Sequence, residues 1–134
     1  MTVGTGSIHD PHDVQGLAHF LEHMLFLGTE KYPDAGSYQK FVSIHDGFSN
    51  AFTAEEKTNY HFEIAPDHLD EALDRFSEFF VSPLFNSELV QREMKAVDSE
   101  HSKNLSNDFR RIFQVKREAY DPGHPALHFA TGNL

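Results

Sequence analysis

Apolar positions along this chain recur first at a helical period, then at a strand period, then at a helical period again, and the changes of period mark its elements. Residues Met1–Ile8 read as a short strand weakened by Gly4 and Gly6, with no partner strand before it. His9-Asp10-Pro11-His12-Asp13 is a turn. After Gly16, Leu17, Ala18, Leu21, Met24, Leu25 and Leu27 can bury the sides of a helix that ends near Gly28. Tyr32-Pro33-Asp34-Ala35-Gly36 forms a loop, and Tyr38, Phe41, Val42 and His45 then predict a short helix running up to Asp46-Gly47.

The period now becomes two. Phe48, Asn50 and Phe52 alternate with Ser49, Ala51 and Thr53, and past Ala54-Glu55-Glu56-Lys57 the residues Tyr60, Phe62 and Ile64 share a face, which predicts two antiparallel strands. Pro66-Asp67 opens a third helix with Leu69, Leu73, Phe76 and Phe80 as its buried stripe and Ala72 and Phe79 beside it, closed by Ser82-Pro83. A fourth helix is expected from Ser87 towards Leu105. A fifth, from Asn107 to Tyr120, carries Phe109, Ile112 and Phe113 and is broken by Asp121-Pro122-Gly123-His124-Pro125. No repeat or linker divides the chain.

Composition narrows the class. Thirteen Phe and four Tyr without Trp give an aromatic core suited to packed layers. The net charge of −10 argues against nucleic acid and anionic membrane, which need clustered Lys and Arg. Without cysteine there is neither disulfide nor thiolate, so a metal site would use histidine and carboxylate. No apolar run is long enough to span a bilayer, and no signal-peptide pattern opens the sequence, which leaves cytoplasm and periplasm equally open.

The candidate chemistry lies on the first helix. His23 is about 40° around the helix from His19 and Glu22 about 60° to the other side, so two imidazoles and a carboxylate share one face. Neutral imidazole is a preferred zinc ligand, and a catalytic zinc takes three protein ligands with a fourth position for water. With ten His and eleven Glu in the chain, this pentapeptide alone does not decide the matter. His9 and His12 read as exposed turn residues outside the site. On the fourth helix Leu89, Glu93, Ala96, Val97 and Glu100 fall on one stripe, placing two carboxylates where apolar residues are expected. The pattern leaves two alternatives open: metal ligation, or an ion pair with Arg75, Arg92 or Arg111. His101, about 100° from Glu100, does not readily join the same ion.

Three separated blocks, Gly16-Leu17-Ala18-His19-Phe20-Leu21-Glu22-His23-Met24-Leu25-Phe26-Leu27-Gly28-Thr29, then Ser49-Asn50-Ala51-Phe52-Thr53, then Arg92-Glu93-Met94-Lys95-Ala96-Val97-Asp98-Ser99-Glu100-His101, resemble the pitrilysin and insulin-degrading enzyme family of zinc metallopeptidases, the inverzincins. The resemblance implies one Zn²⁺ held by His19, His23 and Glu100, with Glu22 as catalytic base and Glu93 as an outer carboxylate that orients the site. It implies that Asn50, Ala51 and Phe52 lie on an edge strand that pairs with a peptide substrate. The fold expected is α+β, an antiparallel sheet covered by helices, in one of four related domains enclosing a chamber.

On this reading residues 1–134 are a single partial domain, truncated at both ends. The C-terminal half of the polypeptide, which grips substrate in the family, is expected as its partner. The chain by itself is then a weak or inactive endopeptidase, and its bared sheet edges and helix faces invite self-association. Two rivals are a noncatalytic scaffold resembling a processing subunit, and a structural zinc site closed by His61 or His101.

Overall fold

The computed structural model describes residues 1–134, and its sheet has three antiparallel strands in the order β1-β3-β2: β1 (Thr2–Val3), β2 (Phe48–Thr53) and β3 (Thr58–Glu63). The hairpin pairs Thr53 with Thr58, Ala51 with Tyr60 and Phe48 with Glu63. β1 pairs with β3 through Thr2–Asn59 and Val3–Thr58, so the opening residues do find a strand partner, one that follows them in sequence. β2 is therefore an edge strand with one side unpaired.

Five α-helices accompany the sheet: α1 (Leu17–Leu25), α2 (Ser37–Ile44), α3 (Leu69–Val81), α4 (Ser87–Asn104) and α5 (Asp108–Arg117). No helix is long and apolar enough to cross a membrane. The predicted α+β layering is what the molecule adopts. Tyr60 of β3 is buried against Leu25 of α1, Tyr38, Phe41 and Val42 of α2, and Ala72, Phe76 and Phe79 of α3. Phe26, Ala51, Phe62 and Phe80 close around this cluster, with Phe26, Tyr38 and Phe79 meeting edge to face or tilted. Each fully buried aromatic of this kind contributes about 1.5–3 kcal/mol by leaving water. The opposite face of the sheet, bearing Phe48, Asn50 and Phe52, is exposed.

Three expectations need correction. On α3 the buried positions are Ala72, Phe76 and Phe79, Phe80 is half-buried, and Leu69 and Leu73 face solvent. On α1, Leu17 and Leu21 are exposed, while Ala18, Met24 and Leu25 are buried. That helix also ends at Leu25 rather than near Gly28. Phe26 N–H reaches the His23 carbonyl at 3.3 Å and Leu27 N–H the Met24 carbonyl at 3.1 Å, the tighter pattern that closes a last turn.

The start of α1 is held from outside. Gly16 is left-handed (φ 93°) and offers no cap, but the buried Asp10 carboxylate accepts from Gly16 N–H at 2.8 Å and Ala18 N–H at 2.9 Å. These are amide groups that a helix start otherwise leaves without partners. Gly16 also faces Gly132 so closely that a Cβ on Gly16 would lie 2.4 Å from the Gly132 Cα. The missing side chain of Gly16 is what lets the chain near Thr131 lie against the first turn of α1.

Candidate metal centre

α1 and α4 pack side by side and bring His19, His23 and Glu100 together. His19 Nδ1 contacts the Thr131 carbonyl at 2.8 Å, and His23 Nδ1 contacts Glu93 Oε1 at 2.8 Å. A carbonyl and a carboxylate only accept, so both Nδ1 atoms carry the proton and donate. Both Nε2 atoms then present lone pairs. They face each other at 3.3 Å, and each lies 3.7 Å from Glu100 Oε2.

Two lone pairs and a carboxylate oxygen so close together repel one another unless a cation lies among them. The triangle they form has room for one: a point equidistant from the three atoms lies about 2.1 Å from each, the ordinary zinc–nitrogen and zinc–oxygen bond length. The donor set therefore fits zinc by chemistry and by size. Glu93 stands behind His23, and by accepting from Nδ1–H it sets the tautomer and orientation of the ring.

The ion-pair alternative fails on geometry. Arg75 pairs with Glu71 and Arg111 with Asp108, Arg92 forms no ion pair, and both α4 carboxylates face histidines. Of the α4 stripe, Val97 is buried, Glu93 and Glu100 are half-buried, and Ala96 points to solvent. His61 contacts Asn59 at 3.0 Å and His101 packs edge-on against Phe129, so neither closes the cluster with a fourth ligand. His9 accepts from the Gly6 amide, and His12 is exposed in its turn.

Glu22 is buried, at 8% exposure, and is not one of the three converging groups. Thr53 at the end of β2 donates to its Oε2 at 2.5 Å. Its charge is felt at Tyr60, whose phenol is pushed up to about 12 first by burial and then by Glu22. A cleft of about 350 Å³ joins all of these groups: His19, Glu22, His23 and Glu100 on one wall, and Asn50, Ala51, Phe52 and Thr53 of the open β2 edge on another. Arg110 of α5 is the only Arg or Lys lining it.

The sequence reading missed three residues that shape this centre: Asp10, Thr53 and Thr131. Asp10 lay in a segment legible only as a turn. Thr53 was the last position of a strand pattern. Thr131 acts through its backbone carbonyl, for which any side chain would serve; the Gly132 beside it was the one available signal.

The sequence description of Insulinase (Peptidase family M16) matches residues 1–123. The chain is 52% identical over 134 residues to the peroxisomal insulin-degrading enzyme-like 1 of Arabidopsis thaliana, covering 100% of this chain and 14% of that protein. It is 52% identical over 133 residues to the insulin-degrading enzyme of Homo sapiens, covering 99% of this chain and 13% of that protein. The crystal structure of pitrilysin superposes with a TM-score of 0.93 at 39% identity, over 99% of this chain and 14% of that one. The chain thus spans about one seventh of the length of the curated relatives it matches.

Proposed function

The chain belongs to the insulinase family of peptidases, family M16, and from that premise we propose that it carries the zinc-binding catalytic half-site of an endopeptidase. The observation that supports this best is the convergence, in one cleft, of two Nε2 lone pairs, the Glu100 carboxylate, a separate buried carboxylate at Glu22 and an unpaired strand edge. His19, His23 and Glu100 would hold one Zn²⁺, which when bound supplies Lewis acidity and brings the pKa of a coordinated water to about 7.

The remaining steps belong to the chain's own groups. A peptide adds as a strand along Ser49–Thr53, where Asn50, Ala51 and Phe52 offer backbone donors and acceptors that ask little of its sequence. Glu22 takes the proton of the attacking water and later gives it to the leaving amine, so the scissile C–N bond breaks with no net change at the carboxylate. The hydrogen bond from Thr53 holds one Glu22 oxygen, leaving the other to work. Glu93 keeps His23 oriented with its Nδ1 proton outward.

Small proteins and oligopeptides are the substrate class we assign. Because the relatives are some seven times longer, we assign the clamping of bound peptide and the stabilisation of its oxyanion to a further part of the polypeptide, the proposed partner of this chain. Losing one such donor costs about 10²–10³ in rate, so residues 1–134 alone cleave weakly or not at all.

The test compares a polypeptide carrying these residues with its Glu22→Gln form, using a quenched fluorescent peptide and metal analysis in parallel. Cleavage should fall by at least about 10²-fold, the low end for a general base, with zinc content unchanged. Turnover retained in the glutamine form would overturn the assignment of Glu22.

A further inference from the structure

Beyond Thr53 the metal cleft opens into a second recess of about 550 Å³, and Thr53, Arg110, Ala130 and Thr131 line both spaces. Leu105, Phe113 and Phe129 give this recess apolar walls, and Arg110, Arg111 and Arg117 bring three positive charges against the single carboxylate of Glu55. That is a reversal of sign in a chain whose net charge is −10. The three cations are not equally free. Arg111 lies 3.6 Å from Asp108, and Arg117 is half-buried, held below its ordinary pKa by burial with the Glu55 charge opposing. Arg110 is exposed, has no carboxylate within ion-pair distance, and stands at the junction of the two spaces.

A peptide added along β2 projects alternate side chains to opposite faces, and a residue passing the Thr53 end of the strand meets the mouth of this recess. We propose that the recess is a specificity pocket for an acidic side chain close to the scissile bond, with Arg110 as the residue that selects it. This rests on the peptidase reading above and deepens it. A guanidinium offers a planar fork of donors that a Glu or Asp carboxylate accepts from two at a time, and the apolar walls receive the methylenes of a Glu side chain. Elsewhere the protein's negative field disfavours such a group, so the preference is local to this position.

The test uses the zinc-loaded polypeptide that carries these residues together with the further part that clamps peptide, with Glu22→Gln to stop turnover, and fluorescent peptides identical except for Glu, Gln, Lys or Phe at each central position in turn. Fluorescence anisotropy gives each Kd. At one position the Glu peptide should bind about three- to tenfold more tightly than its Gln counterpart, as expected for a partly screened charged pair. The preference should shrink in about 0.5 M salt. It should vanish on adding Arg110→Gln and survive Lys95→Gln, an equal charge change on the exposed side of α4. Binding with no preference for Glu, a preference that persists in Arg110→Gln, or tighter binding of the Phe peptide overturns the inference and leaves strand addition standing. Failure of every peptide to bind removes both.

Discussion

Replacing Asp10 by asparagine tests how the helix that carries His19 and His23 is held. The carboxylate uses both oxygens: Oδ2 accepts from Gly16 N–H and Oδ1 from Ala18 N–H, at 2.8 and 2.9 Å, in a buried setting. Asparagine has the same shape but one acceptor. One amide keeps its partner, the other meets an NH₂ group, and the charge that faced the start of α1 is gone. A hydrogen bond to a charged group is worth about 1.5–3 kcal/mol, and a buried amide left unpaired costs a similar amount, so the loss should be about 2–3 kcal/mol. In a domain of this size that lowers Tm by about 6–12 °C. Thermal unfolding followed by circular dichroism in the presence of a chelator isolates the effect from metal linkage, and Asp13→Asn, in the same turn but exposed, serves as control. His19 sits in the first turn of α1, so zinc affinity should fall as well. If Asp10→Asn melts within about 1 °C of Asp13→Asn, the carboxylate does not hold the helix start and the reasoning fails.

Glu93→Gln should keep a hydrogen bond to His23 Nδ1 but lose the charge behind it, weakening zinc binding by about 10–100-fold in a competition titration; unchanged affinity would remove Glu93 from the site. Burial raises the Tyr60 phenol from its ordinary 10.0 to about 12 and pushes Tyr38 up further, so the folded chain keeps protons that the unfolded chain sheds. The stability they contribute is full below pH 10 and is lost as pH rises through 12, and the denaturant midpoint should fall over that window, less steeply in Tyr60→Phe; a flat profile would contradict the burial argument. The exposed stripe of Phe109, Ile112 and Phe113 on α5 should drive self-association of this chain in sedimentation experiments, relieved by Phe109→Ser with Ile112→Ser; a monomeric parent at high concentration would contradict it.

The order and type of the elements were legible because their periods are strong, and the hairpin in particular is set by the alternation from Phe48 to Thr53. The centre of each buried stripe was less so. On α3 the apolar stripe from Leu69 to Phe80 spans an arc of about 120°, from Phe79 and Ala72 at one edge through Phe76 and Phe80 to Leu73 at the other. A sequence shows the width of such an arc. Which edge faces inward is decided by where α2 and the sheet lie, and here they take the Phe79 edge, leaving Leu73 outside, while Leu69, in the middle of the arc, is exposed as the first residue of the helix. The residues of the centre show the same division. His19, Glu22 and His23 share a helix, so their juxtaposition follows from helical geometry. Glu93 and Glu100 were marked by being polar on an apolar stripe, but nothing local said whether their partner was an arginine or the histidines. Thr131 and Asp10 act across contacts that only the folded chain creates.

The central claim is that three side chains from two helices form one metal site, and the most direct measurement is zinc affinity of the 134-residue chain against its Glu100→Ala form. The parent should retain one zinc per chain, and Glu100→Ala should lose affinity by more than the about 10–100-fold expected of an outer carboxylate such as Glu93. If Glu100→Ala binds zinc as tightly as the parent, the convergence of Glu100 on His19 and His23 does not make a metal site, and the account built on it is wrong.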